Sequence, residues 1–439
     1  MSPNALVINP WVTDFKLYDE WMHPIGLYFL ISLLTQNGFE VHYFNCLQRP
    51  QNSKQKYGNT GDFEHWEFPK PAPYRALKRK YKLYGQSREA LESFLSGIPR
   101  PDVICIGSGM TYWLPGLVET ARIVKLHFPV SIMVIGGISA KLIPLALKKA
   151  LPDSYVFQGS LFDPYSLQQS GIPLISNVKS TLWEPSFLTA YQHVAFLHHG
   201  PVLSSLGCPM SCSYCASHIL QKTFFIRDSD VVASEIEYLC SRFNVKHFAV
   251  FDDALLHVPE KNFIPLMRCI NQRGIKAFFH TPNGLHANSL TPEIVNLMAL
   301  SGFRTLRLGY ETGEAHYYGD SAAKVPRADL AKKAGMLLAN GFSKASVGVY
   351  VMAGLIGQCP TDVLHEIDYV ASLSVKVKPV FLSPVPGTRT FEHYLRKFPE
   401  IKDDPLVHND TYFVTRLPGW DADALQQIVD SANKHNARL

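Results

Sequence analysis

Three cysteines fall within eight residues in the stretch Gly207-Cys208-Pro-Met-Ser-Cys212-Ser-Tyr-Cys215. This CxxxCxxC spacing supplies three thiolates from one short loop, whereas an all-cysteine [4Fe–4S] cluster takes four. One iron is then left for another ligand, and an open iron turns an electron carrier into a candidate catalytic centre. The competing use of such thiolates is structural zinc, which takes four protein ligands, commonly as two C-x2–4-C pairs. No second pair exists in this chain, so a lone fourth cysteine or histidine would have to complete a zinc site. The remaining cysteines, at 46, 105, 240, 269 and 359, are scattered and read as free thiols. Disulfides are not expected, because no secretion signal is recognisable.

Size and charge narrow the class. At 439 residues the chain exceeds what one core usually supports, so two domains are expected. A hydrophobic content of 46% and a charged content of 18% are ordinary for a folded protein. A net charge of +5 is small for this length and does not indicate a nucleic-acid partner. Apolar runs such as 25–34 are too short to span a bilayer. A cytoplasmic, reducing location is expected.

The first region alternates strands and helices. Strands are predicted at 5–9, 40–45, 102–107, 131–135 and 154–158, with helices at 24–37, 114–127 and 143–149. Such βαβ alternation predicts a parallel sheet flanked by helices. Ligands of these sheets sit beyond the carboxyl ends of the strands, so the loops 10–24, 107–112 and 136–139 should line one crevice. Gly107, Gly109, Gly136 and Gly137 fit close approach of backbone to a large ligand, and equally fit tight turns. No GxGxxG follows the first strand, so the order is not that of a dinucleotide fold. Between the second and third strands lies a segment, 47–97, with Trp66, Tyr74, Tyr81 and Tyr84 and a basic run of Arg75, Lys78, Arg79, Lys80 and Lys82. Helical placement would bring Arg75, Arg79 and Lys82 to nearby faces, as a solvated surface, a lid or a carboxylate site. A linker with Pro173 and Pro185 follows, and the domain boundary is placed near 190.

The second region repeats the alternation at longer spacing. Strands are predicted at 202–206, 247–251, 277–280, 305–309, 346–351 and 377–382, with helices at 228–241, 259–272, 291–301, 327–340 and 361–372. The last strand contains Pro379, which counts against its assignment as a strand. Six such units make an incomplete barrel, reactive at the carboxyl ends of its strands. Asp252, Asp253, Asn283, Glu311 and the glycines 354, 357 and 387 all fall at those ends, and Arg307 lies just before one of them.

The cysteine motif, with Tyr214 before its last cysteine, resembles the radical S-adenosylmethionine (SAM) superfamily. The turns match in order: Phe251-Asp252-Asp253, Asn283-Gly284, Gly309-Tyr310-Glu311-Thr312-Gly313, Gly354-Leu355-Ile356-Gly357 and Pro384-Val385-Pro386-Gly387-Thr388. The first region looks like the cobalamin-binding domain that precedes the barrel in one large class of that superfamily. Its matching pieces are Asn9-Pro10, His23-Pro24-Ile-Gly26-Leu27, 102–107, Met110-Thr111 and Gly136-Gly137-Ile-Ser139. Two family signatures are absent: a Gly-Glu-Gly-Glu segment, replaced by Gln158-Gly159-Ser160-Leu161, and the DxHxxG that supplies a histidine to cobalt.

The fold so implied is α/β: an N-terminal Rossmann-like parallel-sheet domain over 1–190 with an insertion at 47–97, a partial (β/α)6 radical SAM barrel over 191–395, and a C-terminal extension over 396–439. The resemblance implies a [4Fe–4S] cluster on Cys208, Cys212 and Cys215. It implies S-adenosyl-L-methionine near Tyr214, Asp252, Asp253, Asn283, Arg307, Glu311, Met352 and Gly354. It also implies cobalamin near Pro10, Gly26, Gly107, Gly109, Met110, Thr111, Gly136, Gly137 and Ser139. In those terms Asp252 and Asp253 accept hydrogen bonds from the SAM ammonium, Glu311 from the same amine or the ribose hydroxyls, and Arg307 is a candidate partner of the SAM carboxylate. The expected enzyme is a methyltransferase that uses a 5′-deoxyadenosyl radical and methylcobalamin on an unreactive carbon of a small molecule or peptide. An external donor such as flavodoxin or ferredoxin would supply electrons. Alternatives are a cyclase, ring-contraction or oxidation enzyme of the same architecture, and a radical SAM enzyme whose first domain no longer binds cobalamin. No catalytic residue beyond the cluster ligands is identified.

Overall fold

A computed structural model describes residues 2–163, 165–178, 187–317 and 325–439; Pro185 of the expected linker lies outside them. The chain divides into two compact units, one of residues 1–198 with 400–407, the other of residues 199–399 with 408–439. The division falls at His198/His199 rather than near 190. The stretch 396–439, expected as an extension of its own, is shared between the units.

The first unit is built on a parallel sheet of five strands: Asn4–Asn9, Glu40–Asn45, Val103–Ile106, Ile132–Ile135 and Tyr155–Val156, with the first strand lying between the second and third. Continuous apolar runs, not alternating ones, form its centre, and Leu6, Ile8, Ile104, Ile106 and Ile135 are buried together. That pattern belongs to a sheet covered on both faces. The first covering helix, Ile25–Gln36, follows Pro24 and stops before Gly38, whose φ of 81° ends it. The helix Leu114–His127 carries Pro115 in its first turn, where a missing N–H costs nothing.

The insertion is not the expected basic helix. Its strands His65–Glu67 and Lys82–Tyr84 form an antiparallel sheet with Val12–Asp14, which comes from the loop after the first strand. Prolines at 69, 71 and 73 remove helix donors, and Phe68 N–H instead reaches Tyr81 O at 2.9 Å in extended pairing. A buried ion pair fastens the insertion to the same loop: Arg49 Nε donates to Asp19 Oδ2 at 2.7 Å. Arg49 also donates to Asn59 O at 2.5 Å. The short tail segment joins this unit through Tyr74 Oη, which donates to Leu406 O at 2.6 Å.

The second unit is an open barrel. Six parallel strands, Gly200–Val202, His247–Val250, Phe278–His280, Phe303–Glu311, Val347–Ala353 and Lys376–Phe381, lie side by side in chain order. A short strand, Leu285–His286, pairs beside the fourth. Helices Ser229–Phe243, Phe263–Gln272, Pro292–Leu300, Arg327–Ala339 and Pro360–Ser372 link them. Side-chain alternation decides what faces inward. On the fourth strand Leu306, Leu308 and Tyr310 are buried, with Tyr310 beside Tyr369 of the last of these helices. Arg307 and Gly309 therefore face the barrel interior. Pro379 sits on the last strand, at the sheet edge, as its missing donor requires. The helix Ala422–Asn436 covers that edge, Asn436 accepting from Val377 N at 2.9 Å and donating to Val377 O at 2.8 Å. No helix among the described residues is long and apolar enough to cross a membrane.

Candidate active site

The cysteine loop leaves the first barrel strand through Gly207. Its φ is 79°, and a Cβ there would lie 2.7 Å from Thr223 O, so only glycine makes this turn. Cys208, Cys212 and Cys215 form no disulfide and are half-buried. Burial pushes the Cys208 thiol up to about 11, and Asp253 and the other two cysteines add to the effect. All four groups therefore share one neighbourhood. Ser217 N–H points at Cys215 Sγ at 3.5 Å, with the Ser217 hydroxyl 3.3 Å from the same sulfur. Among the described residues no three His, Cys, Asp or Glu side chains are close enough to hold a single metal ion.

The loop is held from the far end of the barrel. Thr390 N–H donates to Ser213 O at 2.9 Å and Arg389 Nη2 to Ser211 O at 2.9 Å. Thr388 caps the helix Arg389–Leu395, accepting from Phe391 N at 3.1 Å. The Pro-Val-Pro-Gly-Thr turn is thus a clamp on the cysteine loop. Sequence inspection singled out the turn but not Arg389 or Thr390.

Asp252 takes a different job from the one expected. Its carboxylate is 4% exposed and accepts from Ser204 N at 3.0 Å, Ser204 Oγ at 2.6 Å and Ser205 Oγ at 2.6 Å. Those donors occupy both oxygens, so Asp252 positions the residues leading into the cysteine loop. Behind it the buried pair Arg227–Glu235 closes at 2.6 Å, and Arg227 also donates to Leu203 O at 2.7 Å. Asp253 keeps accessible surface; its crowded surroundings push its carboxyl above the ordinary value, with a hydrogen bond from Ser217 opposing. Asn283 donates to Phe251 O at 2.8 Å and so braces the aspartate turn through backbone.

Glu311 carries the most strained backbone of the site. It has a φ of 63°, a left-handed conformation that costs a non-glycine residue about 1–3 kcal/mol. Burial pushes its carboxyl up to about 7, with a hydrogen bond from Tyr214 pulling the other way. Tyr214 lies between Cys212 and Cys215, so this contact ties the fourth strand to the cysteine loop. Arg307 lies four residues earlier, is 5% exposed and sits against Gly348, where a Cβ would come within 2.9 Å of its guanidinium. Four strand residues span about 13 Å, which separates Arg307 from the Glu311 end. Met352 and Gly354 are placed by Gln358, which donates to Met352 O at 3.2 Å and accepts from Gly354 N at 2.9 Å and Leu355 N at 3.0 Å. Nothing in the local sequence marked Gln358 for that role.

At the carboxyl end of the first unit's sheet, three of the four singled-out glycines are explained within the chain. A Cβ on Gly137, whose φ is 101°, would lie 2.5 Å from Ser108 O; one on Gly109 would lie 2.7 Å from the Trp113 ring; one on Gly107 would lie 3.1 Å from Leu27. Gly137 is therefore required by its turn. Gly136 differs: the nearest atom to its added Cβ is Phe157, at 3.9 Å. Ser108 Oγ donates to Gly136 O at 2.7 Å and Ser139 Oγ to Gly109 O at 2.7 Å, stitching the two turns together. Thr111 and Pro10 are buried, whereas nothing lies within 4 Å of a Cβ added to Gly26. Met110 and Ile138 stand 45% and 36% exposed at these strand ends, apolar surface that a large ligand would cover.

No protein-family model matches this chain. Bacteriochlorophyllide d C-12(1)-methyltransferase from Chlorobaculum tepidum is 28% identical over 116 residues, which make up 26% of this chain and 24% of that protein. Solved structures match far more of it. Radical S-adenosylmethionine methyltransferase TsrM from Kitasatospora setae, with cobalamin and a [4Fe-4S] cluster bound, aligns at a TM-score of 0.66 and 14% identity over 98% of this chain and 91% of that one. The same enzyme with tryptophan substrate and a SAM analogue bound aligns at 0.64 and 14% identity over 90% and 76%. OxsB, a cobalamin-dependent S-adenosylmethionine radical enzyme, aligns at 0.55 and 12% identity over 99% and 61%. At such identities the likeness is one of fold, and it runs through both units.

Proposed function

We propose that this chain, which has the two-unit fold of the cobalamin-dependent radical SAM enzymes, is a methyltransferase that acts on an unreactive carbon of a small molecule. The observation that carries the reading is the meeting of the three-cysteine loop with Asp253 and, through Tyr214, with the strained Glu311. When bound, a [4Fe–4S] cluster and cobalamin supply one-electron cleavage of S-adenosylmethionine and a transferable methyl group. Cys208, Cys212 and Cys215 would hold three irons and leave the fourth for the amino acid end of S-adenosylmethionine. Asp253 and Glu311 are the carboxylates available to its ammonium and ribose hydroxyls, since Asp252 is engaged with Ser204 and Ser205. Arg389 and Thr390 hold the cysteine loop in place. In the first unit Gly136, Met110 and Ile138 offer a backbone approach flanked by apolar surface, which suits a corrin ring.

A second reading is a radical SAM enzyme without cobalamin. It is favoured by the chain-internal reasons for Gly107, Gly109 and Gly137 and by the Gln158-Gly159-Ser160-Leu161 segment, which lacks both acids of the family pattern. The two separate in one preparation. Anaerobically reconstituted protein should take up cobalamin and show its visible spectrum; well-folded protein that takes up none decides for the second reading. With a turned-over substrate, a methyl label from S-adenosylmethionine should appear in product alongside 5′-deoxyadenosine and S-adenosylhomocysteine. An unlabelled cyclised or oxidised product overturns the methyltransferase assignment.

A further inference from the structure

The Gly309–Gly313 turn is held from outside the barrel by one side chain that no motif contains. Glu366, on the helix Pro360–Ser372, has no exposed surface. Its Oε2 accepts from Tyr310 Oη at 2.7 Å; its Oε1 accepts from Gly313 N at 2.9 Å, Arg327 Nη2 at 2.8 Å and Thr312 Oγ1 at 3.3 Å. Tyr310, Thr312 and Gly313 are the residues around Glu311. The same network explains Gly313, because a Cβ there would collide with the Tyr310 hydroxyl and with Arg327.

The geometry has a direct mechanical meaning. Strand alternation sends Tyr310 outward, while Glu311 makes its contact with Tyr214 on the site side. A left-handed non-glycine residue persists only where its surroundings over-determine it. Here the over-determination comes from the residue before Glu311 and the two after it, all tied to one buried carboxylate. We propose that Glu366 is a positioning residue for S-adenosylmethionine binding, setting the backbone of Glu311 so that its carboxylate faces the ligand. This rests on the reading of Glu311 as a contact of bound S-adenosylmethionine.

The test is ligand affinity in a double-mutant cycle, measured anaerobically by equilibrium dialysis on full-length, cluster-reconstituted protein. Glu366→Ala should weaken S-adenosylmethionine binding about tenfold, the effect of losing hydrogen bonds to a charged group, with iron content unchanged. Glu311→Ala should weaken it at least as much. The double variant should bind no worse than Glu311→Ala alone, because Glu366 acts only through Glu311. Unchanged affinity in Glu366→Ala, or additive losses in the double variant, overturns the proposal while leaving the role of Glu311 intact. Full affinity in Glu311→Ala, or no binding by iron-replete wild type, instead removes the reading on which it rests. If Glu366→Ala loses iron or fails to fold, Tyr310→Phe removes a single donor. It should cost about threefold in affinity with iron content unchanged, and wild-type affinity in that variant also overturns the proposal.

Discussion

The two units prepare the ends of their parallel strands by opposite means. In the first, the turns after Ile106 and Ile135 are made of glycine and backbone, cross-stitched by Ser108 and Ser139. No acid, base or thiol is presented there. In the second, the strand ends carry sulfur and carboxylate side chains, and the loops that bear them are held by residues distant in sequence: Ser213 by Thr390 and the turn around Glu311 by Glu366. The difference follows from what each end would have to do. A surface for a large, mostly apolar ligand needs room and a rigid floor. A site for a charged ligand and a metal cluster needs particular atoms at particular places, and those atoms need support.

The most severe way to test this contrast is to strip the side chains from the second unit. A Cys208→Ala, Cys212→Ala, Cys215→Ala variant should lose essentially all of the roughly four irons per chain expected after reconstitution, while circular dichroism and any cobalamin uptake by the first unit stay close to wild type. Iron analysis decides it, and four-iron occupancy in the variant would refute the cluster assignment.

Next comes a pair of substitutions one residue apart in the first unit. Gly137→Ala should destabilise by about 2 kcal/mol or more, from its positive φ and the collision with Ser108. A Cβ on Gly136 meets only the Phe157 ring, at an ordinary contact distance, so Gly136→Leu should change melting little while its cobalamin affinity falls. Denaturant unfolding and a cobalamin titration of both variants would expose a mistake in either half. Wild-type cobalamin binding by Gly136→Leu would mean that the ligand does not lie over this turn.

The mildest effect is a pH dependence. The Glu311 carboxyl is raised from 4.5 to about 7 in the folded chain. Its contribution to stability is therefore fully present below the ordinary glutamate value and is lost as pH rises through about 7. Glu311→Gln removes the titration. Between pH 4 and pH 8 the cluster-free wild type should lose stability that the variant keeps. Parallel stability curves for the two proteins would show that Glu311 is not buried as described.

Much of the second unit was legible in the linear sequence because its chemistry sits in short, contiguous turns. Cys208 to Cys215, Asp252-Asp253 and Gly309 to Gly313 each announce themselves by spacing, and strand periodicity puts them at one end of a barrel. The helix starts were less legible: the one predicted at 259–272 begins at Phe263, and that predicted at 143–149 forms as Pro144–Ala150 but is preceded by a short helix, Ile138–Leu142, that was not predicted. The insertion was misread because a basic run suits a helix face, whereas residues 75–80 lie in turns and irregular chain and only Lys82 enters a strand, paired with Val12–Asp14 and His65–Glu67.

By itself the sequence determined the two parallel α/β units, the loop that offers three thiolates and the order of the polar turns, since these depend on local spacing and on the period of apolar residues. Tertiary structure alone decided which of two adjacent aspartates is available, because Ser204 and Ser205 lie nearly fifty residues from Asp252 and take its oxygens. It alone decided that Gly137 serves its turn, and that Glu366 and Arg389 stand behind the site. A hydrogen bond across such separations depends on where the strands and helices pack, and no spacing along the chain encodes it.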